Sequence, residues 1–385
     1  MKILHCCLSN FYIDNYGYQE NILPKMHKLQ GHDVVILAST EIFVDNAKIG
    51  YTKPSSYITK DGIPITRIPY ASWIPHIIVK KLRIYKGMKK TLLAFNPDVI
   101  FIHGSQFMGI LEIADYVKKR PNVKVYVDNH ADFINSASNW VSKNILHKII
   151  YKWATQRIEP YTRKFYGTLP LRVNFLKEVY GTPSHKTELL LLGIDDSKIN
   201  FEEKKPIRKQ KRKELNIHEN DFVIITGGKI DRRKNIHILL KVISELKVKD
   251  IKLIVFGSPN KDMEDEINIL SQNANIRNIG WISPGQAVDY FFASDLACFP
   301  GTHSVLWEQA AGLGLPAIFK RWEGIDHIDL NGNCLLLDEI NEDVLKEAIL
   351  KVIEDNLFFH NMKKTAEEGK KKFSYYEIAK KAIEE

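Results

Sequence analysis

Short runs of apolar and β-branched residues recur along the chain, each followed by a turn and then by a stretch whose apolar positions have helical spacing. In the first half the runs are Lys2–Leu8, Asp33–Ala38, Ile65–Ile68, Val99–His103 and Lys124–Asn129. Helices are predicted between them, as over Tyr18–Gln30 and Tyr85–Phe95. The pattern restarts at Phe222–Thr226 and continues through Lys252–Phe256, Ile276–Ile279, Leu296–Phe299 and Ala317–Phe319. Strands alternating with helices predict parallel βαβ units, and two such series predict two Rossmann-like α/β domains.

A chain of 385 residues suits two domains rather than one. Between the two series lies Asn200–Leu215, dense in Lys204, Lys205, Arg208, Lys209, Lys211, Arg212 and Lys213, which reads as a solvated connection. The expected plan is an N-terminal domain over 1–192, a basic linker over 193–215, a C-terminal domain over 216–370, and a C-terminal helix over 371–385 packing back on the first domain. Ligands of open parallel sheets bind beyond the carboxyl ends of the strands, so a cleft between two facing domains is the expected site.

Charge narrows the partners. The formal net charge is +9. No recognised nucleic-acid module accompanies it, so anionic membrane surfaces and phosphate-rich ligands remain, and no nucleic-acid partner is expected. No apolar run approaches the ~18 residues of a spanning helix, and Met1–Leu8 reads as a buried strand rather than a secretion signal. A cytoplasmic location is expected, or one at the inner face of the cell membrane. Cys6, Cys7, Cys298 and Cys334 lack metal-site spacing and fall in apolar runs, as reduced core thiols do.

The chemistry sits in loops that follow strands. Val223–Thr226 ends in Gly227-Gly228-Lys229-Ile230-Asp231-Arg232-Arg233-Lys234-Asn235, where glycines allow close backbone approach and Lys229 and Lys234 can converge on one anion. A helix N-terminus adds positive potential there, as a diphosphate requires; a plain glycine turn with solvated lysines is the alternative. The second loop, Pro300-Gly301-Thr302-His303-Ser304, leads into a helix with Glu308 near its first turn. N–H groups around Gly301, His303 and Ser304 can meet phosphate oxygens, and Glu308 can accept both hydroxyls of a ribose or merely complement the helix dipole.

These pieces, in this order, resemble retaining GT-B glycosyltransferases of the group-1 or family-4 type. Tyr16-Gly17-Tyr18 through Gly31-His32-Asp33-Val34 is similar to that family's glycine loop, first helix and second strand. Asn96-Pro97-Asp98-Val99 through His103, Leu192-Gly193-Ile194-Asp195, Gly228-Lys229 to Lys234-Asn235 and Asn275 to Ile282 resemble further family segments. The resemblance implies transfer from a nucleotide-sugar with retention, without a metal or other cofactor, a UDP-sugar being favoured over a GDP-sugar. It implies that Lys229 and Lys234 neutralise the diphosphate, that Glu308 grips the ribose, and that the backbone at Ile282 meets the base; Gly17 lets the first loop approach the phosphate or the acceptor hydroxyl. His130 would face the donor sugar, with His103 and Asp132 on the acceptor side. One departure stands out: the family's first glutamate has no counterpart, leaving His303 or Ser304 to replace it, or simply a shortened loop.

Two basic, aromatic-rich stretches, Trp73–Lys90 and Trp140–Tyr166, fit either surface helices with solvated lysines or a face resting on an anionic membrane. The acceptor implied is a glycan or a polyprenyl-diphosphate-linked glycan, in surface polysaccharide or glycoconjugate synthesis. The rival readings are a sugar-nucleotide epimerase, for which the sequence assembles no cluster of carboxylates and histidine, and a non-catalytic binding relative.

Overall fold

The computed structural model describes residues 1–44, 48–133, 136, 139–248 and 250–384. The chain divides into two compact α/β units, one formed by Met1–Leu192 with Tyr375–Glu385 and the other by Gly193–Ser374.

In the N-terminal unit the strands are β1 (Lys2–Cys7), β2 (Asp33–Ser39), β3 (Glu41–Val44), β4 (Lys48–Tyr51), β5 (Ser55–Ile58), β6 (Pro64–Ile68), β7 (Val99–His103), β8 (Lys124–Asn129), β9 (Thr162–Gly167) and β10 (Thr187–Leu189). Eight of them form one sheet in the order β10-β9-β8-β7-β1-β2-β6-β5, and β3 and β4 make a separate hairpin. Pairing in the large sheet is parallel except at the edge strand β5. Central strands such as β7, with all five side chains buried, have apolar residues on both faces because helices cover both faces. On one face the helix Gln19–Leu29 packs Ile22, Leu23 and Met26 beside the C-terminal helix Tyr375–Ala382, which contributes Ile378, Ala379 and Ala382 to the same core.

The C-terminal unit holds β11 (Phe222–Gly227), β12 (Ile251–Phe256), β13 (Ile276–Asn278), β14 (Leu296–Phe299), β15 (Ala317–Lys320) and β16 (Cys334–Leu337), all parallel, in the order β13-β12-β11-β14-β15-β16. Both sheets therefore reverse strand order once, between β1 and β7 in the first unit and between β11 and β14 in the second. Loops part at such a point and leave a crevice at the carboxyl ends of the strands.

Two expectations need correction. The stretch 193–215 is not a linker: it belongs to the C-terminal unit, and its helix Lys204–Glu214 docks there. Arg212 and Arg208 reach the two carboxylate oxygens of Asp295, each at 2.7 Å, and Arg212 also donates to the carbonyls of Ala293 and Asp221 at 2.9 Å. A charge run otherwise suited to solvent thus has two guanidiniums anchored by a carboxylate and by backbone carbonyls. The helix expected from Tyr85 begins only at Met88, because Tyr85 bridges Tyr70 and Gly87 takes a φ of 106°. All four cysteines are buried thiols. Among the described residues, no helix is long and apolar enough to cross a membrane.

Candidate functional site

In the C-terminal unit, the loops after β11 and β14 flank the crevice. They are packed backbone to backbone, and glycine is what permits it. A Cβ on Gly301 would lie 2.3 Å from Lys234 Cα, and one on Gly257, in the adjacent loop after β12, would lie 1.8 Å from the Gly228 carbonyl oxygen. Gly228 has a φ of 102°, in the left-handed region. Lys234 joins the two loops: its Nζ donates to the carbonyls of Thr302 at 2.7 Å and His303 at 3.1 Å. Asn235 Nδ2 donates to Pro300 O at 3.0 Å, and Thr302 N to Arg233 O at 3.0 Å. Burial lowers the pKa of Lys234, with Asp231 acting in the opposite sense.

Lys229 and Lys234 therefore differ in role. Lys229 is exposed and forms no ion pair among the described residues, so its charge is available to a ligand. Lys234 is a clasp whose ammonium already serves two carbonyls. The N–H groups of Gly301, His303 and Ser304 make no hydrogen bond among the described residues, which leaves three backbone donors in one short loop. Ile282 lies in the loop after β13, just before Ser283 caps the helix Pro284–Ala293.

Glu308 is not where the sequence suggested. It lies in the first turn of the helix Leu306–Gly312, but its side chain is fully buried. Its Oε1 meets His303 Nε2 at 2.8 Å and His327 Nε2 at 2.9 Å, and its Oε2 has no hydrogen-bond partner. Of the three side chains, His303 is the most exposed. Burial pushes the Glu308 pKa up, yet the two imidazoles outweigh it and hold the group down at about 2. An open carboxylate accepting two ribose hydroxyls is therefore absent from this arrangement. His327, in the loop after β15, was missed because it stands in no motif.

In the N-terminal unit, His103 at the end of β7 is buried, with Nδ1 2.8 Å from Asp128 Oδ2 and Nε2 3.0 Å from His5 Nδ1. His5 Nε2 meets His27 Nδ1 at 2.9 Å, and His27 Nε2 meets the Ala379 carbonyl at 2.8 Å. Burial lowers the pKa of His5 and takes that of His27 down to about 3, so both are neutral. A carbonyl can only accept. His27 therefore donates from Nε2, receives from His5 at Nδ1, and His5 in turn receives from His103. His103 is left with its Nδ1 against Asp128, and one proton is shared within that contact.

His103 thus backs Asp128 rather than touching a ligand. His130 is the member nearer the surface, its Nε2 3.7 Å from Asp128 Oδ2 and 3.9 Å from Glu20 Oε1. Burial opposes its charged form, but Asp128 prevails and raises its pKa. The same histidines, against the effect of burial, lower that of Asp128. Glu20, Asp128 and His130 together form the carboxylate–histidine cluster that sequence reasoning did not assemble; Glu20 and Asp128 lay in segments it quoted, but more than 100 residues apart. Asp132 is a poor base candidate here, because Arg172 Nε donates to its Oδ2 at 3.1 Å. Gly17 lies in the exposed loop after β1, where a Cβ would meet nothing within 4 Å, so packing does not demand glycine.

The basic stretches of this unit turn large apolar side chains outward: Trp73, Ile77 and Ile78 around the helix His76–Leu82, and Trp140, Val141 and Ile149 around the helical turns Ser142–Tyr151. The two are joined by Tyr151, whose hydroxyl donates to the Lys81 carbonyl. Beside Trp73, a cavity of about 600 Å³ is lined by Tyr51, Pro69, Tyr70, Ile74 and His76.

Comparison with known proteins gives one family match. Residues 207–372 match the model of glycosyl transferases group 1, a span that contains both crevice loops and the Glu308 cluster. No curated protein sequence matches the chain. Solved structures resemble it along nearly its whole length. A sucrose-phosphate synthase from Thermosynechococcus elongatus superposes with a TM-score of 0.64 at 14% identity, covering 99% of this chain and 96% of that one. Anabaena HepE in complex with UDP gives 0.65 at 15% identity, covering 99% and 98%. A UDP-GlcNAc 2-epimerase from Neisseria meningitidis bound to UDP-GlcNAc gives 0.60 at 16%, covering 100% and 98%. At these identities the likeness is one of fold: two Rossmann-like domains, as in GT-B glycosyltransferases. The resemblance to group-1 glycosyltransferases read from the motifs is thus matched by a family model over the C-terminal unit and by fold over the chain.

Proposed function

We propose that this chain is a glycosyltransferase that moves a hexose from a nucleoside-diphosphate sugar, a UDP-sugar being favoured, to a glycan or lipid-linked acceptor with retention of configuration. The observation that carries the reading is the pair of loops clasped by Lys234, which presents the Lys229 ammonium and the N–H groups of Gly301, His303 and Ser304 beside the strand-order reversal. A cation and a run of uncommitted backbone donors suit a diphosphate, whose charge grows as it leaves. The nucleotide complexes of HepE and of the epimerase support the ligand class.

In this reading the donor's diphosphate lies on Lys229 and the loop over 301–304, with His303 in place of the family's first glutamate and Ile282 near the base. The acceptor lies on the N-terminal unit, where His130 is the group offered to it. The outward Trp73, Ile77, Trp140 and Ile149, set among lysines, suit a lipid-linked acceptor held at an anionic bilayer.

A second reading, sugar-nucleotide epimerisation, is favoured by the Glu20, Asp128 and His130 cluster and by the epimerase among the structural neighbours. A thermal-shift screen against UDP, GDP, ADP and their sugar conjugates tests ligand class, with Lys229→Ala as control. At a ligand concentration 100 times Kd the stabilisation is about 2.7 kcal/mol. Turnover that requires an acceptor supports the transferase; turnover without one supports the epimerase; no nucleotide binding removes both. NMR of the first-formed product reads retention or inversion directly.

A further inference from the structure

Glu308 is a fully buried carboxylate with no lysine or arginine paired to it among the described residues. Its ion-pair partners within 4.0 Å, among the described residues, are two imidazoles that aim their Nε2 atoms at the same oxygen. Removing a carboxylate from water is costly unless a positive charge is held with it. Meanwhile Oε2 is buried and lacks a hydrogen-bond partner. The three donor atoms of His303, Glu308 and His327 lie within 4.8 Å of one another. They come from three places in the fold, the loop after β14, the helix Leu306–Gly312 and the loop after β15, and only His303 reaches towards solvent. Aromatic rings pack around the cluster. The buried Trp307 ring stacks on Phe319 with centroids 4.4 Å apart and meets the His303 ring edge-on at 5.2 Å.

We propose that His303, Glu308 and His327 form a binding site for a divalent transition-metal ion of the zinc class. Two imidazole nitrogens and one carboxylate are a set that zinc accepts with a fourth position left to water or substrate. Nitrogen donors disfavour magnesium and calcium, which take oxygen ligands. With neutral imidazoles the cluster carries one negative charge, and a divalent ion turns that into one positive charge. His303 marks the open side, so the fourth ligand is water or an oxygen of an anion. The sequence pointed to no metal because its third ligand, His327, belongs to no recognisable motif. The inference does not rest on the transferase reading.

The test uses the full, untagged chain, stripped with chelator and titrated with Co²⁺ and then Zn²⁺. The expected result is uptake of about one equivalent of Co²⁺ with the visible absorption of a four-coordinate site, displaced by Zn²⁺. His303→Ala removes the exposed ligand without opening the core and lowers affinity at least about tenfold. Glu308→Gln does the same. Should that buried variant fail to fold, His303→Ala decides. Absence of Co²⁺ and Zn²⁺ uptake by the wild type overturns the proposal, as does equal uptake by His303→Ala. Either outcome leaves a hydrogen-bonded imidazole–carboxylate cluster. UDP binding by the stripped protein keeps the two questions apart: metal uptake without nucleotide binding counts against the transferase alone, and the converse against the metal site alone.

Discussion

Two lysines that look alike in the sequence are expected to behave oppositely when removed. Lys234→Met keeps most of the apolar stem but deletes the donor to Thr302 O and His303 O. Hydrogen bonds from a charged group contribute about 1.5–3 kcal/mol each in favourable settings. Lys234 is only half-buried, so water replaces part of that, and a net loss of about 2–3 kcal/mol is expected. For a unit of this size that is about 4–12 °C in melting temperature. Lys229→Ala removes an exposed, unpaired cation and should change the stability of the ligand-free protein by less than about 0.5 kcal/mol. Its effect is on the ligand: a loss of about 2–4 kcal/mol of transition-state stabilisation, or about 10²–10³ in rate. Differential scanning fluorimetry with and without UDP, followed by donor turnover, separates the two. An unchanged melting temperature for Lys234→Met would refute the clasp. Undiminished UDP binding and turnover in Lys229→Ala would refute the diphosphate assignment.

Gly257→Ala places a Cβ 1.8 Å from a backbone carbonyl at a φ of 114°, and should cost at least about 2–3 kcal/mol, read as a lower urea midpoint. The buried His27 titrates near 3 when folded and near 6.5 when unfolded, so the unfolded chain binds the extra proton between those values. Stability of the N-terminal unit should therefore fall as pH drops from about 6.5 to about 3, by roughly 3–5 kcal/mol over the whole window. His27→Gln should flatten that slope in urea titrations at stepped pH, and an unaltered slope would contradict the assignment. Replacing Trp73 and Ile77 together by Ser should abolish flotation with anionic liposomes while leaving melting unchanged; flotation that ignores both lipid charge and these side chains would remove the membrane face.

What was legible in the sequence was what hydrophobic pattern encodes. Largely apolar runs such as Val99–His103 and Phe222–Gly227 mark strands covered on both faces, and the glycines that follow them mark the turns at the strand ends. Strands with mixed or outward side chains were not readable. Lys48–Tyr51 carries no buried residue, and the three-residue Thr187–Leu189 is too short to show a period. The misread segment 193–215 has the same origin. Composition counts seven cations over Lys204–Lys213 but is silent on direction, and direction is what turns Arg208 and Arg212 towards Asp295.

The candidate site shows that limit most clearly, at Glu308. A glutamate in a first helical turn can face a ligand or the core, and the helical period decides which only once the helix is placed against its sheet. Here Trp307 and Glu308 both turn inward while Val305, just before the helix, remains outside. That rotation buries the carboxylate and sets its Oε1 against the imidazoles of His303 and His327. Lys234 follows the same logic. Its place in the loop was evident from the sequence, but its two carbonyl partners lie 68 and 69 residues further along the chain. Only the folded loop shows that its charge first ties the two loops together, leaving Lys229 and the backbone donors over 301–304 to meet whatever enters the crevice.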